Sequence, residues 1–330
     1  MAIAIAAAVW RARRAIVVAV ALASSSGIAW SQSYPNRPIR LVIGGSAGGG
    51  WDVTARLIAE RMQEALAQPV VVDNKPGADG VVSADLVAKA APDGYTLLAA
   101  VTSQMTMTPV LNDHLPYDPA RDFQPVSMIS RSPLVLVVGS SAPMRSVAEL
   151  IGEARAHPGV LNYGANTGGF VFATELFKQA ARVDIQRIPY KGTAQALTAL
   201  LAGDIQMAIM DVPSALPLIS AGRIRALAVT TPRRVPFLAD VPTLAEAGVP
   251  GADVMLWIAM FAPAGTPAEI VARLQPVIAR ALEHPELREK LLALGTLPES
   301  STPEALGETV RAETALYRGL ARRAQLTAQQ

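Results

Sequence analysis

The chain has 330 residues, of which 51% are hydrophobic and 17% are charged. This composition excludes an intrinsically disordered chain, and the length fits two domains of about 150 residues with a sizeable core. Cysteine is absent, which excludes disulfides, thiolate metal sites and cysteine nucleophiles.

The first 33 residues have the pattern of an export signal. Three arginines between residues 11 and 14 form a basic segment, and Ala15–Ala23 is an unbroken apolar run. This run is too short for a membrane-spanning helix, which needs about 20 apolar residues, and is typical of a signal peptide. Small polar residues follow, so we place the cleavage after Ser33, with Ala29 as the alternative site. An N-terminal membrane anchor is the other interpretation.

The charge balance of the mature chain argues against nucleic-acid binding. Removing the three arginines leaves 26 basic and 27 acidic residues, a net charge of −1. Nucleic-acid-binding proteins usually carry a strong basic excess or a basic stripe. The remaining 297 residues contain no apolar run of membrane length. We therefore expect a soluble product, exported to the periplasm of a Gram-negative cell.

Strand and helix patterns alternate along the mature chain. Short apolar runs predict strands, and apolar residues with a 3.6-residue period predict helices. The predicted strands are Ile39–Gly44, Pro69–Val72, Tyr95–Val101, Leu134–Val138, Ile205–Met210 and Arg225–Val229. The predicted helices are Val53–Leu66, Val82–Ala91, Met144–Ala156, Phe170–Ala180, Ala194–Ala202, Pro267–Leu282, Pro285–Leu294 and Pro303–Ala324. The alternation predicts α/β domains with mainly parallel sheets, and the lack of a long linker favours domains joined by strand-like crossovers.

A glycine-rich loop at residues 44–50, between the first strand and the first helix, carries the strongest chemical signal. It is not a P-loop, because no Lys-Ser or Lys-Thr pair follows it, and the dinucleotide fingerprint G-x-G-x-x-G does not fit. It does contain G-x-S-x-G around Ser46, the nucleophile-elbow pattern of α/β-hydrolases. Two facts weaken the hydrolase interpretation. The loop begins only eleven residues into the mature chain, so there are no earlier strands to supply the loop that forms the oxyanion hole. The three histidines, His114, His157 and His284, have no evident carboxylate partner.

The other interpretations of this loop are an anion-binding site and a tight structural turn. The first amides of a helix lack intrahelical acceptors and the helix dipole is positive there, so backbone N–H groups alone can hold a carboxylate. Asp52 is expected to cap the helix rather than to catalyse. A second glycine-rich loop, Asn162–Gly169, precedes another predicted helix. Two such helix starts suggest two lobes that face a shared cleft, as in hinged binding proteins.

The sequence gives little reason to expect a metal or a cofactor. The three histidines are too scattered for a zinc site. Asp113, Asp118 and Asp122 lack the spacing of a calcium loop and are expected to be solvated.

Five segments, in chain order, carry a resemblance to one known family. They are the Gly48–Asp52 loop with Arg56, Val72–Ala78, Pro92–Leu97, Ile188–Gly192 and Pro263–Pro267. Shorter matches around Tyr117–Phe123 and Val241–Gly248 support them. The ordered set resembles Bug-type substrate-binding proteins of the tripartite tricarboxylate transporter family, over nearly the whole mature chain.

This resemblance implies a two-lobed type II periplasmic-binding-protein fold that closes on its ligand like a flytrap. One lobe would comprise residues 34–134 plus 256–330, and the other 135–255. The ligand would be a small carboxylate, delivered to a membrane permease of one large and one small subunit. The chain would act as a monomer, without catalysis. An orphan sensor that reports ligand occupancy to a membrane signalling protein is an alternative with the same fold.

The resemblance also places the ligand contacts and shows where this chain departs from the family. The expected contacts are Ala47, Gly48, Gly49, Gly50, Trp51, Asp52, Thr102, Ser103, Asn166, Thr167, Gly168, Gly169 and Asp211. Trp51 replaces a small hydroxyl residue, Phe170 and Phe172 follow a loop without the family's histidine, and Ala199 replaces an aspartate. We hypothesise a planar or partly apolar carboxylate rather than citrate. The alternative is that Trp51 and Phe170 pack away from the cleft.

Overall fold

The computed structural model of the chain describes residues 34–165, 168–190 and 192–326. The fold described below is that of the compact unit that begins at Arg37. The predicted export signal, residues 1–33, lies outside the described residues. None of the helices in the described ranges is both long enough and apolar enough to cross a membrane.

The strands of the described chain join into one mixed sheet. They lie in the order β2-β1-β3-β9-β4-β7-β5-β6, and β8 and β10 also pair with β4. The strands are β1 (Ile39–Ile43), β2 (Val70–Asn74), β3 (Thr96–Val101), β4 (Phe123–Gly139), β5 (Asn162–Ala165), β6 (Gln186–Pro189), β7 (Met207–Asp211), β8 (Ile224–Val229), β9 (Met255–Pro263) and β10 (Leu297–Pro298).

Helices connect most of these strands. They are α1 (Gly50–Leu66), α2 (Val81–Ala88), α3 (Thr108–Leu111), α4 (Val147–Ala156), α5 (Gly168–Ala181), α6 (Thr193–Ala202), α7 (Val212–Ser220), α8 (Ala268–Glu283), α9 (Pro285–Ala293) and α10 (Pro303–Ala324). A short 3-10 turn, Ala78–Gly80, precedes α2, and a π turn, Ser103–Met107, follows β3. Both turns lie next to the cavity described below.

Strand β4 divides the sheet into two halves. From Phe123 to Pro133 it pairs with β9, and from Leu134 to Gly139 it pairs with β7 and β8. The pairing with β9 has two register shifts, and the first of them follows Pro125, which cannot donate to a regular ladder. The other long strand, β9, pairs with both β3 and β4, and all these pairings are antiparallel. The prediction of mainly parallel sheets is therefore wrong at the centre, while the β1–β2, β1–β3, β5–β6 and β5–β7 pairs are parallel.

Each half of the sheet has its own hydrophobic core, and helix α10 contributes to both. Leu306 and Val310 pack with the core around β3 and β9. About two to three turns beyond Val310, Tyr317 and Leu320 pack with the core around the second part of β4. The ring of Tyr317 lies 5.0 Å from that of Phe172, centroid to centroid. A single C-terminal helix therefore connects the two cores.

Most predicted elements are found within a few residues of their predicted ends, with some corrections. Helix α1 begins at Gly50, three residues earlier than predicted, and the first four residues of the predicted second loop form β5. The first part of β4, together with β6, α7 and β9, was not predicted. Ser146 caps α4 as expected, because its Oγ accepts a hydrogen bond from the Glu149 amide at 3.2 Å.

Candidate functional site

A cavity of about 450 Å³ lies where the two halves of the sheet meet. Its walls come from the starts of α1, α5 and α7, the end of β3, the crossing strands β4 and β9, and the turn after α9. The lining residues are Gly50, Trp51, Thr54, Asp79, Val101, Thr102, Ser103, Ser132, Gly168, Gly169, Phe170, Asp211, Pro213, Ser214, Leu256, Trp257, Ile258, Leu294 and Thr296. Both predicted helix starts thus contribute to one cavity.

The start of α1 forms part of the cavity wall. Gly49 is the extended N-cap residue, and it has no side chain with which to cap the helix. The amides of the first turn, beginning at Gly50, therefore lack intrahelical acceptors, and the helix dipole makes this end positive. Gly50 and Trp51 line the cavity, whereas the other predicted contacts of this loop, Ala47, Gly48 and Gly49, do not.

Asp52 holds the loop together from inside the helix. Its Oδ2 accepts a hydrogen bond from the Gly48 amide at 2.8 Å and another from Arg56 Nε at 3.0 Å. Its Oδ1 accepts from Asn74 Nδ2, which also donates to the Gly45 carbonyl, both at 2.9 Å. The hydrogen bond from Arg56 is the main cause that lowers the pKa of Asp52 from 3.8 to about 2, against the opposing effect of burial. Asp52 is buried and does not line the cavity. The expectation that it caps the helix is not met, because the N-cap residue is Gly49 and Asp52 instead accepts from the Gly48 amide in the preceding loop.

Trp51 lies over the glycines of the same loop. Its Nε1 donates a hydrogen bond to the Ala99 carbonyl at 2.8 Å. A Cβ atom on Gly44 would lie 2.8 Å from Trp51 Cη2, and one on Gly45 would lie 3.2 Å from Trp51 Cβ. Only glycine allows this close approach at Gly44. Trp51 therefore packs on the loop and also lines the cavity, which combines the two alternatives considered for it.

The end of β3 contributes Thr102 and Ser103. The Thr102 hydroxyl accepts a hydrogen bond from the Trp257 amide at 2.6 Å, so it ties β3 to β9 at the cavity wall. The next residue, Gln104, is fully buried and was missed from the sequence. Its Nε2 donates to the Gly80 carbonyl at 2.7 Å and its Oε1 accepts from the Val101 amide at 3.0 Å. Gln104 thereby fixes the Ala78–Gly80 turn beside the cavity.

The start of α5 supplies the facing wall. Gly168 and Gly169 line the cavity, while the predicted contacts Asn166 and Thr167 lie outside the described residues. A Cβ on Gly169 would lie 3.1 Å from the Leu256 side chain, so this helix start packs closely on β9. Phe170 lines the cavity and also packs in the core.

Two of the four departures from the family pattern lie away from the cavity. Phe172 is fully buried and packs against Tyr317, and Ala199 is buried in the same core. Neither lines the cavity. Of these four departures, only Trp51 and Phe170 line the cavity and make its wall less polar.

Asp211 combines a structural contact with a place in the cavity wall. Its Oδ1 accepts a hydrogen bond from the Ser214 amide at 2.9 Å and so caps α7. Asp211, Pro213 and Ser214 line the cavity together. The described lining contains two acidic residues, Asp79 and Asp211, and no lysine, arginine or histidine.

Several lining residues carried no recognised signal in the sequence. Leu256, Trp257 and Ile258 lie on β9, whose apolar run could have been recognised as a buried strand. Leu294 and Thr296 reach the cavity from the turn after α9, which no local pattern indicates. For the residues that were predicted, the structure gives their position, and ligand binding by them stays a prediction.

The structure gives no support to a catalytic centre at Ser46. Ser46 is exposed and does not line the cavity. His157 Nδ1 lies 2.9 Å from Glu153 Oε1, but both groups belong to α4 and its C-terminal cap. Within the described ranges, no group of three histidine, aspartate or glutamate side chains is placed to bind a metal.

Comparison with known proteins gives the family. The model of the tripartite tricarboxylate transporter family receptor matches residues 54–306. The chain belongs to this receptor family. It is 36% identical over 310 residues to protein BugT of Bordetella pertussis. The aligned region covers 93% of this chain and 95% of BugT. The resemblance to Bug-type receptors is therefore confirmed.

Solved structures of similar proteins confirm the fold. R. palustris Rpa4515 with adipate is 40% identical, with a TM-score of 0.77, over 89% of this chain and 99% of that chain. MatC from Rhodopseudomonas palustris with bound malate is 32% identical, with a TM-score of 0.73, over 87% of this chain and 99% of that chain. The prediction of a two-lobed α/β periplasmic-binding-protein fold is correct, and the receptor belongs to a family of periplasmic transport proteins.

Proposed function

We propose that this receptor binds a small carboxylate in the cavity and delivers it to a membrane permease of one large and one small subunit. The observation that carries the proposal is the convergence of two helix starts, at Gly50 and Gly168, on one cavity. Their first amides can hold a carboxylate without any cationic side chain. The described lining supplies no such cation, which fits binding by backbone groups.

The ligands of the similar structures support this class of ligand. Rpa4515 is described with adipate and MatC with malate, and both ligands are small carboxylates. Hydroxyl groups of Ser103, Ser132 and Ser214 line the cavity and are available to fix the orientation of a bound acid. Lobe closure would then exclude water and strengthen these polar contacts.

The proposal includes the division into lobes and the export of the chain. One lobe comprises residues 34–134 plus 256–330 and the other 135–255. The change of partners along β4 at Leu134, and the start of β9 at Met255, support these boundaries. The chain is exported by residues 1–33, cleaved near Ser33, and acts as a monomer. The permease would recognise the closed, ligand-bound form.

Binding without catalysis is part of the proposal. The exposed position of Ser46, outside the cavity wall, argues against the hydrolase alternative. A sensor that reports to a membrane signalling protein would use the same cavity and differ only in its partner.

A thermal-shift screen of the receptor purified from the periplasm tests the proposal. The panel contains dicarboxylates, tricarboxylates, acidic amino acids, and aromatic and aliphatic monocarboxylates. A ligand at 100 times its dissociation constant should add about 2.7 kcal/mol to the free energy of unfolding. The absence of a shift with any acid, for folded protein freed of co-purified ligand, would contradict carboxylate binding.

Replacement of Ser46 separates the receptor from the hydrolase. We expect Ser46→Ala to bind the carboxylate found in the screen with unchanged affinity, and neither protein to hydrolyse a p-nitrophenyl ester. Ester hydrolysis by the wild type that disappears in Ser46→Ala would establish the hydrolase instead.

A further inference from the structure

The indole ring of Trp51 is fixed in one position at the cavity wall. Its N–H group is already bonded to the Ala99 carbonyl at 2.8 Å, and Gly44 and Gly45 lie directly beneath its ring. A Cβ at Gly44 would also lie 2.5 Å from Gly80 Cα, so the loop and the Ala78–Gly80 turn meet without space for a side chain. The ring therefore cannot sink further into the loop.

A ligand that touches Trp51 meets an apolar surface. Because the indole N–H is engaged, the ring offers its carbon surface and its edge but no hydrogen-bond donor. The same cavity is lined by Phe170, Leu256 and Ile258, whose side chains are also apolar. Flat apolar groups pack well against an indole ring and against aliphatic side chains. The body of the ligand is thus expected to be flat and apolar.

The charges of the lining act against a second carboxylate. Asp79 and Asp211 both face the cavity, and the described lining has no basic side chain to neutralise them or an additional acid. Asp79 is held in the left-handed conformation, with φ of 52°, within the turn that Gln104 fixes. Asp211 is held by its bond to the Ser214 amide. Like charges that cannot move apart raise the free energy of a bound dianion.

We propose that Trp51 is the specificity-determining residue of the cavity, and that it selects a monocarboxylate with a flat apolar body over a dicarboxylate. This inference rests on the proposed function, because it assumes that the cavity binds a carboxylate. A small hydroxyl residue at position 51 would leave the space above Gly44 and Gly45 open to a longer, more polar ligand.

Calorimetric titration of benzoate, adipate and malate into four proteins tests the inference. The proteins are the wild type, Trp51→Phe and Trp51→Ser, with Val82→Ser as a control at an exposed position outside the cavity wall. We expect the wild type to bind benzoate up to about tenfold more tightly than adipate, because an aromatic contact is worth up to about that factor. Trp51→Phe should keep this preference, Trp51→Ser should lose it, and the control should match the wild type.

Tryptophan fluorescence supplies a second readout that does not depend on the folding of Trp51→Ser. Benzoate that packs on Trp51 should change the emission of the wild type, and the change should be largely lost in Trp51→Phe. Tighter binding of adipate than of benzoate by the wild type would overturn the inference and leave the proposed function intact. An unchanged preference in a folded Trp51→Ser would do the same. Failure of all three acids to bind would overturn the inference, whereas the proposed function is contradicted only if no acid of the full panel binds.

Discussion

The two glycine-rich helix starts in the cavity wall, those of α1 and α5, contain glycines for different physical reasons. At the start of α1, Trp51, Asp52 and Asn74 all bond back to the loop or to the strand beside it, and Gly44 is enclosed on three sides. At the start of α5, a Cβ on Gly168 would meet open space, and one on Gly169 would meet the Leu256 side chain alone at close range. The first start is a preformed wall, and the second is defined mainly by its contact with β9.

Two glycine-rich loops that look alike in the sequence therefore have different structural roles. Gly44 is required by packing, whereas a Cβ on Gly168 would have no atom within 4 Å. Residues of both helix starts line the same cavity, but only the start of α1 is held by a network of side chains in the described structure.

Alanine replacements at Gly44 and Gly168 give the most direct contrast in stability. A methyl group at Gly44 would lie 2.5 Å from the Gly80 backbone, so we expect Gly44→Ala to lower the free energy of unfolding by about 3 kcal/mol. Gly168→Ala is the matched control. It should leave stability unchanged or raise it by about 0.5 kcal/mol, because alanine restricts the unfolded chain. Urea denaturation of both proteins measures the difference, and equal losses would show that the two starts are packed alike.

Replacement of Asp52 by asparagine tests the side-chain network of the first start. We expect Asp52→Asn to lose about 1–3 kcal/mol at pH 7, since the charged hydrogen bond to Arg56 is removed in a buried site. Because folding lowers the pKa of Asp52 from 3.8 to about 2, its contribution is complete above pH 4 and is lost as the pH falls toward 2. The difference between the two proteins should therefore shrink over that range.

An exposed ion pair on the same helix provides the control for this experiment. Glu64 pairs with Arg61 at 3.0 Å and is largely exposed. Glu64→Gln should change stability by less than about 0.5 kcal/mol at pH 7. A loss in Asp52→Asn no larger than that of the control would show that the network contributes little to the first start.

The pH dependence at Glu313 examines β9, the strand whose Leu256 side chain packs against the start of α5. Trp257 Nε1 donates to Glu313 Oε2 at 2.8 Å, and burial raises the pKa of Glu313 to about 7, with Arg131 acting in the opposite direction. A raised carboxyl pKa favours the folded state at low pH, and this advantage is lost as the pH rises from about 4.5 to 7. Glu313→Gln has no such loss, so its stability relative to the wild type should increase across this range. Exposed Glu308→Gln is the control, and parallel pH profiles of wild type and Glu313→Gln would contradict the assignment.

The sequence predicts those parts of the fold that have strong local patterns. Helices α9 and α10 begin at prolines with a clear apolar period, and both were found with their predicted first residues. The first part of β4 was missed because polar residues and Pro125 interrupt its apolar pattern, and its register shifts where the proline is accommodated. Strand β6 was missed because it has only four residues, most of them exposed, and no apolar run.

The site is only partly predictable, because half of its wall comes from distant parts of the chain. Glycine loops, hydroxyl residues after β3 and Asp211 can be located from order and resemblance. Leu294 and Thr296 reach the cavity through the packing of the C-terminal segment, and Gln104 matters through buried hydrogen bonds that no motif records. Long-range packing decides these positions.

Calorimetric titration with matched acid and amide pairs tests the central claim that the helix starts hold a carboxylate. Benzoate with benzamide, and adipate with adipamide, differ in charge while keeping nearly the same shape. At pH 7 the account predicts that at least one acid binds and that its amide binds about tenfold or more weakly, as expected when charge-assisted hydrogen bonds are lost. Amides that bind as tightly as the acids in both pairs would contradict it.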